Sequence, residues 1–236
     1  MPNKIQLSPN SLNLFLECQK CFWLDKKWNI KRPPSYPYAL NMAVDTLLKQ
    51  EFDSYRAKGE NHPLILEKNI PAHLFPNQQL LNQWRSNFEG IRFYDSKLEA
   101  TLFGAVDDVL EFSTKGGSAY GGENSILAPL DYKSTGSTVP NVYDRFQLQM
   151  DIYTFLLEKN GFKTTKKGYL AFYIVNKDDG FGDRLPFRKE LHEIDTNPTY
   201  VPNIFKDAVK ALKKDSPPPQ SQDCKFCQWQ NQASNF

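Results

Sequence analysis

Two aspartates stand out because they sit where a charge is expensive. Asp107 lies within Gly104-Ala-Val-Asp-Asp-Val-Leu-Glu-Phe112, and Asp131 within Ile126-Leu-Ala-Pro-Leu-Asp-Tyr-Lys-Ser134. Both runs are apolar with β-branched members, the composition of a strand. Side chains alternate along a strand, so Asp131 and Lys133, two apart, share a face. A carboxylate and an ammonium on one face of an apolar strand are costly to desolvate unless something holds them. A divalent cation and a phosphate would do that. Hydrolysing a phosphodiester needs an activated water, charge stabilisation at phosphorus and help for the leaving oxygen, all of which carboxylate-held Mg²⁺ or Mn²⁺ supplies.

The cysteines form a second candidate centre. The chain has four, as Cys18-x-x-Cys21 and Cys224-x-x-Cys227. This pairing reads as metal ligation before disulfides in a cytoplasmic chain. Zinc and an iron–sulfur cluster use the same thiolates, so spacing alone leaves both open, beside four ordinary buried thiols.

The elements that must position these residues follow from periodicity. A glycine-rich connection, Gly116 to Gly122, separates the two acid-bearing runs and predicts neighbouring strands joined by a loop. Strands predicted at 91–94 and 97–103 join them in a sheet of three or more strands. A helix over Asp144–Asn160, stopped by Gly161, is apolar nearly all round and therefore buried. Gln149 and Tyr153, four apart on one face, are its polar exceptions. Gly168–Val175 is the clearest strand, and 185–194 predicts an edge strand. At the N-terminus Ser8-Pro9 is a cap followed by proline at the first helical position, and the helix it starts carries Cys18 and Cys21 near its end. Phe22, Trp23 and Trp28 among Lys20, Lys26, Lys27, Lys31 and Arg32 suit stacked bases and phosphates, or equally a core-facing aromatic set with a solvated basic face. After a proline break at Pro33, Pro34 and Pro37, a helix over 38–57 shows Leu40, Val44, Leu47, Leu48, Phe52 and Tyr55 as its apolar stripe. Further helices are predicted over 80–88 and from Val201 to Leu212, the latter followed by the stiff spacer Pro217–Pro219.

Composition bounds the answer without choosing it. At 236 residues, 40% apolar and 24% charged, the chain can bury a full core. No run is apolar enough to span a bilayer and no secretory leader is evident, which points to the cytoplasm. A net charge of +2 does not by itself argue for nucleic acid.

Gly104-x-x-Asp107, then Asp131-Tyr132-Lys133, then Gln149-x-x-x-Tyr153 resembles the PD-(D/E)XK nuclease superfamily, closest to its RecB-like branch with the CRISPR-associated exonucleases. The resemblance runs from Ser8 to about Trp229. It implies an α/β (α+β) fold with a central mixed β-sheet flanked by helices, a restriction-endonuclease-like core, and termini joined by a four-cysteine metal site. One domain would span 1–236, with the N-terminal helix and cysteine pair in 1–36, the catalytic core in 90–195 and the second pair in 217–236. The implied activity is metal-dependent hydrolysis of DNA, as an exonuclease on single-stranded ends, beside a helicase or CRISPR adaptation partner. Asp107, Asp131 and the backbone carbonyl of Tyr132 would hold Mg²⁺ or Mn²⁺. Lys133 would orient water or neutralise developing charge, and Gln149 and Tyr153 would position that water or the phosphate. Asp108 is the second choice for the first ligand, since a bulge would exchange it with Asp107. Where relatives carry a metal-binding histidine, this chain has Asp45, which fits either a ligand or a solvated surface residue. Related exonucleases build a [4Fe–4S] cluster from one N-terminal and three C-terminal cysteines. Here Cys21 would replace the third C-terminal one. The alternative is a catalytically inactive nucleic-acid-binding or DNA-repair/CRISPR accessory module with a four-cysteine zinc site.

Overall fold

The computed structural model describes residues 5–33, 39–112, 125–137, 142 and 144–234. The glycine-rich connection at Gly116–Gly122, Tyr38 and the prolines Pro34 and Pro37 lie outside them. In chain order the elements are β1 (Ile5–Leu7), α1 (Pro9–Glu17), α2 (Gln19–Trp28), α3 (Ala39–Lys58), α4 (Pro63–Glu67), β2 (Ala72–Leu74), α5 (Gln78–Arg85), β3 (Ile91–Asp95), β4 (Ala100–Gly104), β5 (Asp108–Phe112), β6 (Ile126–Thr135), α6 (Asp144–Lys159), β7 (Lys163–Thr164), β8 (Lys167–Val175), β9 (Phe187–Asp195), α7 (Val201–Leu212) and α8 (Lys225–Ala233). No helix among the described residues is long and apolar enough to cross a membrane. The chain divides into two compact units.

One unit comprises Met1–Pro37, Phe93–Phe103 and Thr199–Phe236. Its sheet has the order β1-β4-β3, with β1 parallel to β4. The Ser8 side chain accepts from Ser11 N at 3.3 Å, so the predicted cap forms. The single helix expected to carry both N-terminal cysteines is instead two. α1 stops at Glu17, Cys18 is extended (φ −161°, ψ 107°), and Cys21 stands in the first turn of α2. The break lets two helices approach the cysteines from different directions, which one straight rod would not allow. At the other terminus Cys224 caps α8 and Cys227 lies in its first turn, a helix the sequence pattern did not disclose. Phe22 and Trp23 are buried, and the Trp23 indole donates to the Lys214 carbonyl at 3.2 Å; Trp28 is exposed. Two of the three aromatics therefore belong to the core.

The other unit comprises Tyr38–Arg92 and Gly104–Pro198. Its mixed sheet has the order β2-β5-β6-β8-β9, with β7 pairing β6 off this path. β6 runs parallel to β8, and the crossover between them carries α6; β5 and β9 are antiparallel to their neighbours. Val44, Leu48 and Phe52 of α3 join Leu130 and Tyr132 of β6 and Ala171 and Tyr173 of β8 in one apolar cluster. Alternation sends Asp131 and Lys133 to the opposite face, where α6 lies. Helices thus flank a mixed sheet, as expected.

Two expectations need correction. Strands 91–94 and 97–103 do form, as β3 and β4, but they pair with each other, and β4 with β1, in the separate sheet and not with the acid-bearing strands. The run that begins at Gly104 is not one strand: β4 ends at Gly104, the chain bends through Ala105–Asp107, and β5 starts at Asp108. Within α3 the apolar stripe is narrower than its periodicity suggested, since Leu40 and Leu47 are exposed while Arg56 is buried.

Candidate active site and cysteine centre

The antiparallel ladder between β5 and β6 ends at the pair Asp108–Leu130. One step beyond it, the Tyr132 N–H donates to Asp107 Oδ2 at 3.1 Å, so a carboxylate takes the place of the next backbone carbonyl. N–H and C=O of one strand residue point to the same side. The Tyr132 carbonyl therefore points toward the Asp107 side of β6. At the N-terminal turn of α3, Asn41 Nδ2 donates to the Ser134 carbonyl at 2.8 Å, tying the helix to β6 just past this point.

The Asp131 side chain is 2% exposed and forms an ion pair with the Lys133 ammonium. Its Oδ1 accepts from Gln149 Nε2 at 3.1 Å, while Gln149 Oε1 accepts from Lys133 Nζ at 3.1 Å. Gln149 thereby bridges acid and base. Gln149 Nε2 also donates to the Tyr153 hydroxyl at 2.8 Å, and that hydroxyl donates to the Ala105 carbonyl at 2.6 Å. The polar exceptions on α6 thus form a relay from the Asp131–Lys133 pair to the bend before β5. Gly104 makes the relay possible: a Cβ there would lie 2.7 Å from Tyr153 Cε1. Burial, then the charges of Asp131 and Asp107, push the Tyr153 phenol well above its ordinary value, so it stays a donor.

The structure places Asp107, Asp131, Lys133, Gln149 and Tyr153 in one contiguous network. Asp45 joins it indirectly. Its Oδ2 is 2.8 Å from Lys49 Nζ, and that ammonium is 2.9 Å from Asp107 Oδ1. Burial opposes charge on Lys49, but Asp107 and Asp45 outweigh it and raise its pKa. Lys49 was missed in the sequence. The Asp45–Lys49 spacing of four was visible, but nothing there pointed it at Asp107.

Asp108 faces the other way, as strand alternation requires. It is fully buried, ion-paired to Arg56 through Oδ1 and to Arg85 through Oδ2 at 3.1 Å, and accepts from the Tyr132 hydroxyl at 2.6 Å. Arg85 also donates to the Asp107 carbonyl at 2.5 Å and to Asp53 at 2.7 Å. The same guanidinium therefore fixes the Asp107 backbone and the Asp108 side chain, and sets which acid faces Asp131. Neither arginine was singled out in the sequence, because Asp108 lies more than twenty residues from both.

Two observations test whether a hard cation fits. Asp107 acts as a like charge on Asp131, and the buried Asp131 Oδ2 is met by the Lys133 ammonium as an ion pair but by no further hydrogen bond. Burial pushes the Asp131 carboxyl up, Lys133 pulls it down, Asp107 adds to the rise, and it ends raised to about 7. A divalent ion between the two carboxylates would take up their remaining lone pairs and relieve the like-charge repulsion. The residues fit.

In the other unit the four cysteine sulfurs are buried and all lie within 4.8 Å of one another. The separations are 3.8 Å for Cys18–Cys227, 3.7 Å for Cys21–Cys224 and 3.6 Å for Cys21–Cys227, too long for disulfides. Four thiolates about 2.3 Å from one tetrahedral ion are about 3.8 Å apart. In a [4Fe–4S] cluster each thiolate sits on a different iron, which spreads the sulfurs further. Arg32 donates to Cys224 Sγ at 3.3 Å. Burial pushes Cys21 and Cys227 up, while backbone hydrogen bonds from Ser221 and Cys21 outweigh burial at Cys18 and lower it to about 6.

A mixed sheet flanked by helices, with two acids and a lysine meeting at the end of its central strand pair, defines a class as well as a site. The chain belongs to the PD-(D/E)XK nuclease superfamily, whose model matches residues 6–232. Members of that superfamily are mostly nucleases and use divalent metals. The solved structure "Crystal structure of SSO0001" is similar over 98% of this chain and 87% of its own, at 13% identity and a TM-score of 0.49. No curated protein matches the chain.

Proposed function

We propose that this protein is a Mg²⁺- or Mn²⁺-dependent deoxyribonuclease of the RecB-like branch, acting as an exonuclease on single-stranded ends. The observation that carries the nuclease reading is the pair of acids Asp107 and Asp131, acting on each other as like charges and each met by its own ammonium, Lys49 and Lys133. Asp107, Asp131 and the Tyr132 carbonyl would hold the metal. When bound, the metal lowers the pKa of a coordinated water and offsets charge on the phosphate. Lys133 presents an ammonium that orients the attacking water and meets charge developing on phosphorus oxygens. Gln149 holds the Lys133 head against Asp131, and Tyr153 anchors Gln149 to the chain at Ala105. The preference for DNA ends, and for a helicase or CRISPR adaptation partner that supplies single strands, follows from the branch resemblance.

For the cysteine centre, the sulfur spacing supports one zinc ion over the [4Fe–4S] cluster that the same resemblance implies. Colourless protein with one equivalent of zinc is expected; brown anaerobic protein would reverse this choice.

The test is cleavage of end-labelled single-stranded DNA with Mg²⁺ or Mn²⁺. Asp131→Asn and Lys133→Ala should each lose on the order of 10³-fold in rate, as loss of a preorganised electrostatic group does, while still folding and binding DNA. Wild-type rates in either variant overturn the assignment. Equal cutting of covalently closed circles overturns the exonuclease part alone.

A further inference from the structure

Lys49 enters the candidate active site without belonging to any of the motifs. It reaches in from α3, its side chain 26% exposed, and its ammonium spans Asp45 Oδ2 at 2.8 Å and Asp107 Oδ1 at 2.9 Å. Phosphodiester hydrolysis can use one metal ion or two, and a two-ion site needs a shared carboxylate with further oxygens on either side. Asp107 is the residue placed to be shared. On one side it acts as a like charge on Asp131, whose buried Oδ2 is ion-paired to Lys133. On the other, the carboxylate offered by α3 is Asp45, and Lys49 already stands between them.

Charge leads to the same result. Asp45, Asp107 and Asp131 bring three negative charges when ionised, and Lys49 and Lys133 bring two positive ones, which leaves one negative charge. A single divalent ion turns that into one net positive charge, which one phosphodiester group neutralises. A second ion would leave a large positive excess close to two ammonium groups, and like charges at such distances repel strongly in a partly buried site.

We infer that Lys49 stands in for a second metal ion: the site takes one divalent cation, between Asp107 and Asp131, and the Lys49 ammonium holds Asp45 and the outer oxygen of Asp107 in place of another. This rests on the nuclease reading for the identity of the cation site. Lys49 is then a positioning residue acting through Asp107, and Asp45 stays outside the metal's coordination shell.

The experiment counts bound Mn²⁺ by electron paramagnetic resonance in the full-length protein with its cysteine centre loaded. Wild type should bind one Mn²⁺ per chain, lost in Asp131→Asn. Lys49→Met keeps the stem but removes the charge, freeing Asp45 and Asp107 Oδ1, and should bind two, with the dipolar broadening of a close pair. Lys49→Gln is a second neutral variant with the same expectation, and Lys49→Arg should return the count to one. Two ions in wild type, or one in both neutral variants, overturn the inference. If wild type binds two and still cleaves DNA, the nuclease reading stands and only the role of Lys49 falls. If it binds none and cleaves nothing, both fall.

Discussion

The two candidate metal centres are built from opposite chemistry, and the protein prepares them differently. In the carboxylate site most of the negative charge is already met from within: Lys49 and Lys133 sit on Asp107 and Asp131, with Asp45 holding Lys49 and Gln149, backed by Tyr153, holding Lys133. Such a site can fold without metal and exchange it, as turnover requires. The cysteine centre holds four buried sulfurs, and Arg32 is the cation that bonds one of them. A metal that bound there would let all four thiols ionise together, and its binding energy would be part of the folding energy. One centre is poised and the other closed.

The sharpest way to break that comparison is to empty each centre in turn. Zinc bound to such a site is worth on the order of 10 kcal/mol in small domains, and that binding energy is folding energy. Cys21→Ser or Cys227→Ser should therefore unfold the cysteine-bearing unit, read as loss of hydrogen-exchange protection in α1, α2, α7 and α8. Peptides from β5, β6, α6 and β8 should stay protected. Mild EDTA, by contrast, should stop cleavage and leave protection unchanged everywhere. If mild chelation unfolds the sheet around Asp131, or the cysteine variants stay fully protected, the two centres do not differ as described.

A smaller effect separates two neighbouring acids. Asp108→Ala removes one of the two carboxylates that pair with Arg56, whose side chain is 3% exposed, and one of the two that pair with Arg85, leaving Asp53 to both. Breaking a buried ion pair by deleting one partner costs about 3–5 kcal/mol. Urea denaturation should show a loss at the lower end of that range, about 3 kcal/mol, for Asp108→Ala, because Asp53 still pairs both arginines. A smaller loss of about 1–2 kcal/mol is expected for Asp107→Ala, where Lys49 keeps Asp45 but the Tyr132 N–H loses its acceptor. Asp107→Ala should instead lose cleavage and Mn²⁺ binding. Sequence reasoning held Asp108 only as a second choice of ligand, because alternation shows which face a side chain takes but not what waits on that face.

The same limit explains what was legible. Asp131 and Lys133 share a face because strand period alone decides it, and α6 and β8 were readable because their apolar patterns are long and uninterrupted. The Ser8 cap was readable because its chemistry is local. What escaped depended on distant partners. Strands β3 and β4 look like any others in sequence, and only pairing with β1 assigns them to a second sheet. Leu40 and Leu47 fit the helical stripe of α3 but remain exposed, while Arg56, which the pattern would place outside, is buried by Asp108. Lys49 resembles half of an ordinary i,i+4 surface pair until the bend before β5 brings Asp107 to it.

The smallest effect is a pH dependence that reads the carboxylate site without any substrate. Asp131 ionises near pH 4 when unfolded, and in the metal-free fold burial, against Lys133 and with Asp107, raises it to about 7. Between those values the folded chain holds a proton that the unfolded chain has released. Stability from this group is therefore fully present below about pH 4 and falls as pH rises toward about 7. Other acids titrate in the same range, so the quantity to measure is the difference in Tm between wild type and Asp131→Asn in EDTA. Wild type should lose ground to the variant as pH rises from about 5 to about 7.5. Excess Mg²⁺ should flatten or reverse that slope, because a bound cation favours the ionised carboxylate. The cysteine centre, still loaded in mild EDTA, contributes equally to both proteins and cancels. A flat difference without metal would mean that Asp131 is already ionised in the apo fold, held by Lys133 alone, and the carboxylate site would then be a settled ion pair with no vacancy for a cation to fill.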